Sequence, residues 1–328
     1  MPVTVRDQLG GRIPPGWIPA PCVELDNEPW DGFDIPWRTD ISDWPVDQAR
    51  TANLARSDVQ VPVDVSAPGQ VWDGSVGGIP VQDCRNVATT TVWDLGRPVT
   101  WEWFSPRWPT VQVPLPALVR REGDPMAAWD RHWCGIDVDR RRLHEAIQLD
   151  SSPWNRVRTI GQTDWTAGWP GGGPGLATWD LSRPWNSPGQ PRGVVAAAVP
   201  LVPHLIRADE LARGAIGHAL FLVLADYAGE HTGYARGSDG TARNHPCRAG
   251  ERLRLPAADV EFFRPGTPER VVADALHRFG AIVGDRSDHS GSATSKPGRL
   301  SCTQDPRINT GWKGLGLRLS DLEVIHQP

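Results

Sequence analysis

Glycine and proline interrupt this chain so often that a long helix has almost nowhere to form. Gly supplies 34 and Pro 32 of the 328 residues, about a fifth where about 12% is usual. Gly permits turn conformations and Pro removes a backbone donor, so both punctuate regular structure. Between them, apolar and polar residues alternate in short runs over residues 59–119: VQVPVDV, TTTVWDL, TWEWF and TVQVPLP. A period of two is the signature of strands. The pattern predicts a mainly β fold, an antiparallel β-sandwich or jelly-roll-like domain with two or three short helices. Residues 1–33 carry no periodicity and read as an extended N-terminal arm; residues 34–328 read as a single large domain, long enough to bury a core without staples.

Two helices announce themselves by their ends. QARTANLAR follows Asp47, a capping residue type. PERVVADALHRFG places Val271, Val272, Ala275, Leu276 and Phe279 on one stripe, with Pro268 just inside the start and Gly280 at the stop. The longest apolar stretch is AVPLVPHLIRADELARGAIGHALFLVLA, residues 198–225. It reads as a Pro-punctuated lead-in, a short helix stopped by Gly214, and an apolar strand holding His218. A histidine in such a run is either hydrogen-bonded inside the core or used chemically, and both readings stay open.

Composition excludes several classes. A net charge of −5 leaves no basic footprint for nucleic acid. No run approaches the roughly 18 apolar residues that would insert into a membrane, and MPVTVRDQLGGRIPPGW lacks the layout of a signal peptide. Synthesis in the cytoplasm without a signal peptide, with release by a route such as virion assembly, is the expectation. Cys22, Cys84, Cys134, Cys247 and Cys302 are odd in number and lack a C-x-x-C pair, so they read as reduced thiols without a zinc site. No metal and no cofactor is expected. Only Lys296 and Lys313 accompany an otherwise all-Arg set of basic residues, a composition typical of GC-rich actinobacteria and their phages.

Candidate site residues come from chemistry-bearing positions on these elements. Trp101 and Trp103 share a strand face, as core or as a sugar-stacking platform. RHWCGIDVDRRRLHEAIQL reads as a hairpin whose acids, Asp137 and Glu145, face each other if register allows. Paired carboxyls are what a glycosidase needs, and exposed hairpin acids beside arginines are the alternative. Asp180 ends the short strand ATWDL after a Trp- and Gly-rich loop. Arg254 shares a face with Arg252 in ERLRLPA, and Asp285 ends the strand AIVGD. The assignment is Asp137, Glu145, Asp285 and His218 as catalytic residues and Trp101, Trp103, Asp180 and Arg254 as substrate-binding residues.

FDIPWRTDISDWPVD, RHWCGIDVDRRRLHEA, ATWDLSRPW, VPLVPHLIRADELARGAIGHALFLVL, ERLRLPA and HRFGAIVGD together resemble one family of largely uncharacterised bacterial proteins. That family carries an N-P-W-N-T-D-I-S-like start, a D-R-H-x-x-V-V-D hairpin, an L-P-L-L-P-G-L-V-R-x-x-E-x-x-x-G-x-I-x-H-A-L core and a Y-G-x-x-x-A-D strand. The resemblance covers roughly residues 34–325 and points to Asp137, Glu145, Asp180, Arg207, Glu210, His218, Arg254 and Asp285. His204 stands where the family has Gly. Members are often secreted beside carbohydrate-binding modules. Taken with the missing signal-peptide layout and the Arg-rich composition, the resemblance implies a phage tail or virion protein that binds or cleaves a host-surface glycan. The alternatives are a purely structural virion component, contacting other virion proteins through residues 1–33 or forming a homo-oligomer, and a cytoplasmic enzyme with a closed polar pocket around His218.

Overall fold

The computed structural model describes residues 22–25, 30–33, 36–56, 62–65, 71–72, 75–76, 78–94, 110–122, 130–151, 165–167, 175–287, 298–308 and 315–327. Trp101 and Trp103 lie outside them. The fold is mainly β. The chain separates into two compact units: Met1–Asp34, Pro68–Val194 and Gln304–Pro306 form the first, and Ile35–Ala67, Val195–Thr303 and Arg307–Pro328 the second.

In the first unit, β4 (Val81–Asp83), β7 (Trp133–Asp137), β8 (Arg142–Ala146) and β11 (Leu176–Asp180) form a sheet in the order β11-β8-β7-β4. A second sheet runs β6-β5-β10-β9, from β5 (Thr89–Asp94), β6 (Thr110–Pro114), β9 (Asp150–Ser151) and β10 (Trp165–Ala167). A small pair, β2 (Val71–Trp72) and β3 (Ser75–Val76), is separate from both. One core cluster takes Val92 and Val113 from the second sheet and Trp133, Ala146 and Leu176 from the first, with Cys84 and Leu115 between. The N-terminal residues also join this unit's core. The Val23 N–H donates to Val81 O, Phe33 O accepts from the Trp185 N–H, and the Phe33 ring meets the edge of Trp179 at 6.0 Å.

The second unit is organised on a seven-stranded mixed sheet, β18-β1-β17-β12-β16-β15-β19. Its strands are β1 (Pro62–Val65), β12 (Leu220–Leu224), β15 (Arg252–Arg254), β16 (Ala281–Arg286), β17 (Gly298–Leu300), β18 (Leu317–Arg318) and β19 (Glu323–Val324). Strand β12 holds the centre, parallel to β16 and antiparallel to β17. A central strand covered on both faces needs apolar residues at successive positions, which is why LFLVL does not alternate. The register slips between Leu222 and Val223 so that Gly284 has no partner residue. A Cβ on Gly284 would stand 2.0 Å from the Phe221 ring, so only glycine lets that aromatic lie over the bulge. A parallel pair, β13 (Ala228–His231) and β14 (Arg248–Ala249), flanks the sheet.

Four α-helices are described, α1 (Gln48–Arg56), α2 (Ala208–Arg213), α3 (Ala257–Val260) and α4 (Pro268–Arg278). Their ends follow the sequence signals. Asp47 Oδ1 accepts from the Arg50 N–H, Thr267 Oγ1 accepts from the Arg270 N–H, and Gly280, at φ 72°, follows the end of α4. No helix among the described residues is long and apolar enough to cross a membrane.

Candidate functional site

The centre of chemical interest is built by the apolar stretch of residues 198–225. Pro203 opens a single 3-10 turn, Val202–His204, after which Leu205 returns to extended backbone. The Ile206 N–H donates to Ser301 O and Ile206 O accepts from the Thr303 N–H, which fixes the entry to α2. Gly214 stops α2 in the left-handed conformation at φ 77°, its N–H turned back to Glu210 O and Leu211 O. An L side chain is strained at that φ, so Gly there sets the reversal. The reversal brings Glu210 and His218 face to face. The expected position of His218 inside the strand shifts slightly, since β12 begins at Leu220.

His218 Nε2 lies 3.1 and 3.2 Å from the two Glu210 carboxylate oxygens, and its Nδ1 lies 2.9 Å from Ala219 O. Both ring nitrogens therefore lie within hydrogen-bond distance of oxygen atoms. Arg207 Nη2 reaches the same carboxylate at 2.8 Å, and Arg207 Nε reaches Asp209 at 3.3 Å. Arg213 holds the other Asp209 oxygen at 2.9 Å. Burial works to raise the Glu210 carboxyl, but His218 and Arg207 outweigh it and hold the group below its ordinary value. Arg207, Asp209, Glu210 and His218 are all buried.

His204 shares the Ala219 carbonyl, with Nδ1 3.1 Å from it, and its ring lies 4.5 Å from the Trp37 ring. Its buried Nε2 has no hydrogen-bond partner among the described residues. Burial, with the charges of His218 and Arg252, pulls its pKa down to about 3, so the ring is neutral. His204 is therefore an uncharged ring packed against those of Trp37 and Phe221.

Arg252 and Arg254 are buried anchors for residues 37–44. Arg254 Nη1 reaches the carbonyls of Ile41, Ser42 and Trp44 at 2.8, 2.6 and 3.0 Å, and its Nη2 pairs with Glu323 at 2.9 Å. Arg252 Nε donates to Phe279 O at 3.1 Å, its Nη2 reaches Trp37 O at 3.4 Å, and its guanidinium carbon stands 5.6 Å from the Trp44 ring centroid. Burial lowers Arg252 to about 10, which leaves it charged at neutral pH. The guanidinium expected to bind substrate is thus committed to backbone carbonyls. A planar fork matched to several carbonyls is the geometry Arg supplies and Lys does not.

The other candidates do not gather around these groups. In the hairpin, Asp137 is in register with Arg142 and Cys134 with Glu145. Residues 134 and 137 are an odd number apart, so Asp137 and Glu145 lie on opposite faces of the sheet. This corrects the expectation that they face each other. Asp137 caps the turn, accepting from the Arg140 N–H at 3.0 Å and pairing with its guanidinium at 3.1 Å. Glu145 is buried and accepts from Trp179 Nε1 at 2.9 Å. What the sheet does align is a row, Asp137, Arg142 and Asp180, across β7, β8 and β11, with Arg142 2.5 Å from Asp180. Burial opposes ionisation of Asp180, but Ser182 and Arg142 bring it to about 2. His144, which no sequence motif marks, lies two residues along β8 on the same face as Arg142, 3.0 Å from Thr178 Oγ1, and burial pulls it to about 4.

In the second unit, Asp285 pairs with Val223 in register, five residues beyond His218 along the strand direction, a separation of roughly 16 Å. Asp285 Oδ1 accepts from the Arg286 N–H. Around it, Tyr227 donates to Asp239, and Asp226 accepts from Thr241. All five cysteines are buried thiols outside any disulfide; burial pushes the Cys84 and Cys247 thiols up to about 12. No group of three His, Cys, Asp or Glu side chains among the described residues is arranged to hold a metal ion.

No family model, no curated protein and no solved structure matches this chain.

Proposed function

We propose that this chain is a structural component of a phage particle, in which the residues of its signature segments maintain the fold and do not turn over a substrate. One observation carries the reading: four of the polar side chains that the sequence singles out, all among the described residues, are engaged internally. Glu210 is held by His218 and Arg207, Arg254 by carbonyls of residues 41–44 and Glu323, Glu145 by Trp179 and Asp137 by Arg140. A glycosidase needs two carboxyls flanking one scissile bond at roughly 5–10 Å, and acids on opposite faces of one sheet do not flank a bond. The phage setting rests on the family resemblance and the Arg-for-Lys composition. For the first unit we propose a β-sandwich, supported by the single core cluster shared between its two four-stranded sheets.

Glycan stacking draws less support. The buried tryptophans Trp30, Trp37, Trp133, Trp179 and Trp185 are core residues. The experiment is incubation of purified protein with an actinobacterial cell-wall polysaccharide such as arabinogalactan, read by polymer length and by retention. Neither shortening nor retention is expected, while the full chain forms a symmetric assembly that deletion of residues 1–21, which spares the buried Cys22, Leu25, Trp30 and Phe33, disrupts. Shortening that disappears in Glu145→Gln, or a protein that stays monomeric, would overturn the reading.

A further inference from the structure

The first unit contains a cavity of about 150 Å³ that none of the candidate residues uses. It is lined by Cys22, Pro80, Val81, Gln82, Asp83 and Arg120, among others. The charges in it are not balanced against each other. Asp83 already has a cation: Arg85 Nε lies 3.0 and 2.9 Å from its two oxygens, and the pair lowers the Asp83 pKa together with the Arg85 backbone N–H. Arg120 is different. Its backbone N–H donates to Gln82 Oε1 at 2.9 Å, but its guanidinium makes no ion pair or hydrogen bond among the described residues, and its Nε is buried. Burial pulls the Arg120 pKa down, the sign of a charge that has lost water and gained no counter-ion.

The walls are fixed around that group. Gln82 Oε1 also accepts from Trp133 Nε1, and Gln82 Nε2 donates to Leu118 O, so its amide is oriented from both ends. Cys22 Sγ accepts from the Val81 N–H at 3.4 Å and donates to Gln304 O at 3.5 Å, and the Cys22 N–H is held by Asp305. Pro80, Val81 and Pro116 supply apolar surface. A void of that size accommodates a ring of about six heavy atoms. A lone guanidinium beside apolar walls suits a monoanion with a planar head, because the fork of N–H donors matches a carboxylate. A phosphate dianion would bring more charge than one Arg answers.

We propose that this cavity is a binding site for a small organic carboxylate, with Arg120 as its counter-charge and Pro80, Val81 and Pro116 as its apolar wall. The inference does not depend on the structural role proposed above. The carboxylate can arrive as a free acid or as the C-terminus of a peptide segment, and the two sources are separable by probe.

The test uses the full chain and follows amide chemical shifts of residues 81–83 and 117–120 during titration with benzoate, benzamide, inorganic phosphate, and a short peptide with a free or amidated C-terminus. Benzoate is expected to shift these residues saturably, and benzamide and phosphate are not. A response to the free-acid peptide but not its amide would mark a peptide terminus as an occupant; a response to benzoate alone would mark a free acid. Arg120→Gln should weaken benzoate binding about tenfold or more, and Arg120→Lys should retain part of it. Thermal unfolding of each variant establishes that it is folded. No saturable shift with either benzoate or the free-acid peptide, equal responses to benzoate and benzamide, or undiminished binding by folded Arg120→Gln would overturn the proposal.

Discussion

Glu210 and His218 stand eight residues apart in sequence and 3.1 Å apart in space, joined across the reversal that Gly214 closes. The pair ties the short helix α2 to the start of the central strand, and Arg207 shares the carboxylate from the helix side. A buried ionic contact of this kind is costly to break from one side, because the remaining charge is left without water or partner.

Single substitutions Glu210→Gln and His218→Leu should each lower stability by about 3–5 kcal/mol. The double substitution Glu210→Met with His218→Leu should recover part of that loss. Urea unfolding of the four proteins measures it as a double-mutant cycle; independent, additive losses would contradict the pairing.

Stability should fall as pH is lowered from about 6.5 toward 3. His204 binds its proton near 6.5 when unfolded and at about 3 when folded. The unfolded chain therefore takes up protons first, and the stability held above 6.5 drains away across that window. His144, lowered to about 4 by burial, acts in the same sense, and Glu210, held below its ordinary value, adds a loss at the acid end. Denaturant midpoints between pH 7 and pH 4 should show the slope, and His204→Gln should make it shallower without abolishing it.

Arg254→Lys should destabilise by about 2–4 kcal/mol, because an ammonium cannot replace a fork that serves three carbonyls and Glu323. The loss should be local before it is global. Amide exchange at residues 39–46 should accelerate more than exchange in β12, and equal acceleration in both would argue against a clamp.

Gly284→Ala should cost about 1–3 kcal/mol, since the new methyl group meets the Phe221 ring over the bulge. Adding Phe221→Leu to Gly284→Ala should relieve part of that cost. Thermal or urea unfolding would measure both, and a neutral Gly284→Ala would mean that the ring moves aside freely.

Much of the second unit was legible residue by residue. Thr267, Pro268 and Gly280 bound α4 because capping and positive φ are local properties, and Gly214 stops α2 for the same reason. The apolar run LFLVL gave away a strand covered on both faces. The candidate site was less legible. Asp137 and Glu145 depend on hairpin register, and a shift of one residue turns a side chain to the other face. Arg252 and Arg254 share a strand face as the alternation predicts, but the carbonyls of Thr39 and Ile41 that they reach lie more than 200 residues earlier in the chain.

The sequence by itself determined the caps of α1 and α4, the stop of α2, the strand LFLVL, and that the fold is mainly β, because caps, turns and periodicity act within a few residues. Tertiary structure alone decided the roles of the polar groups. Whether Glu210, His218, Arg254 or Arg120 meets a partner, a carbonyl or a cavity depends on which distant backbone is packed against it. Burial then sets the strength of each charge, and no local pattern carries that information.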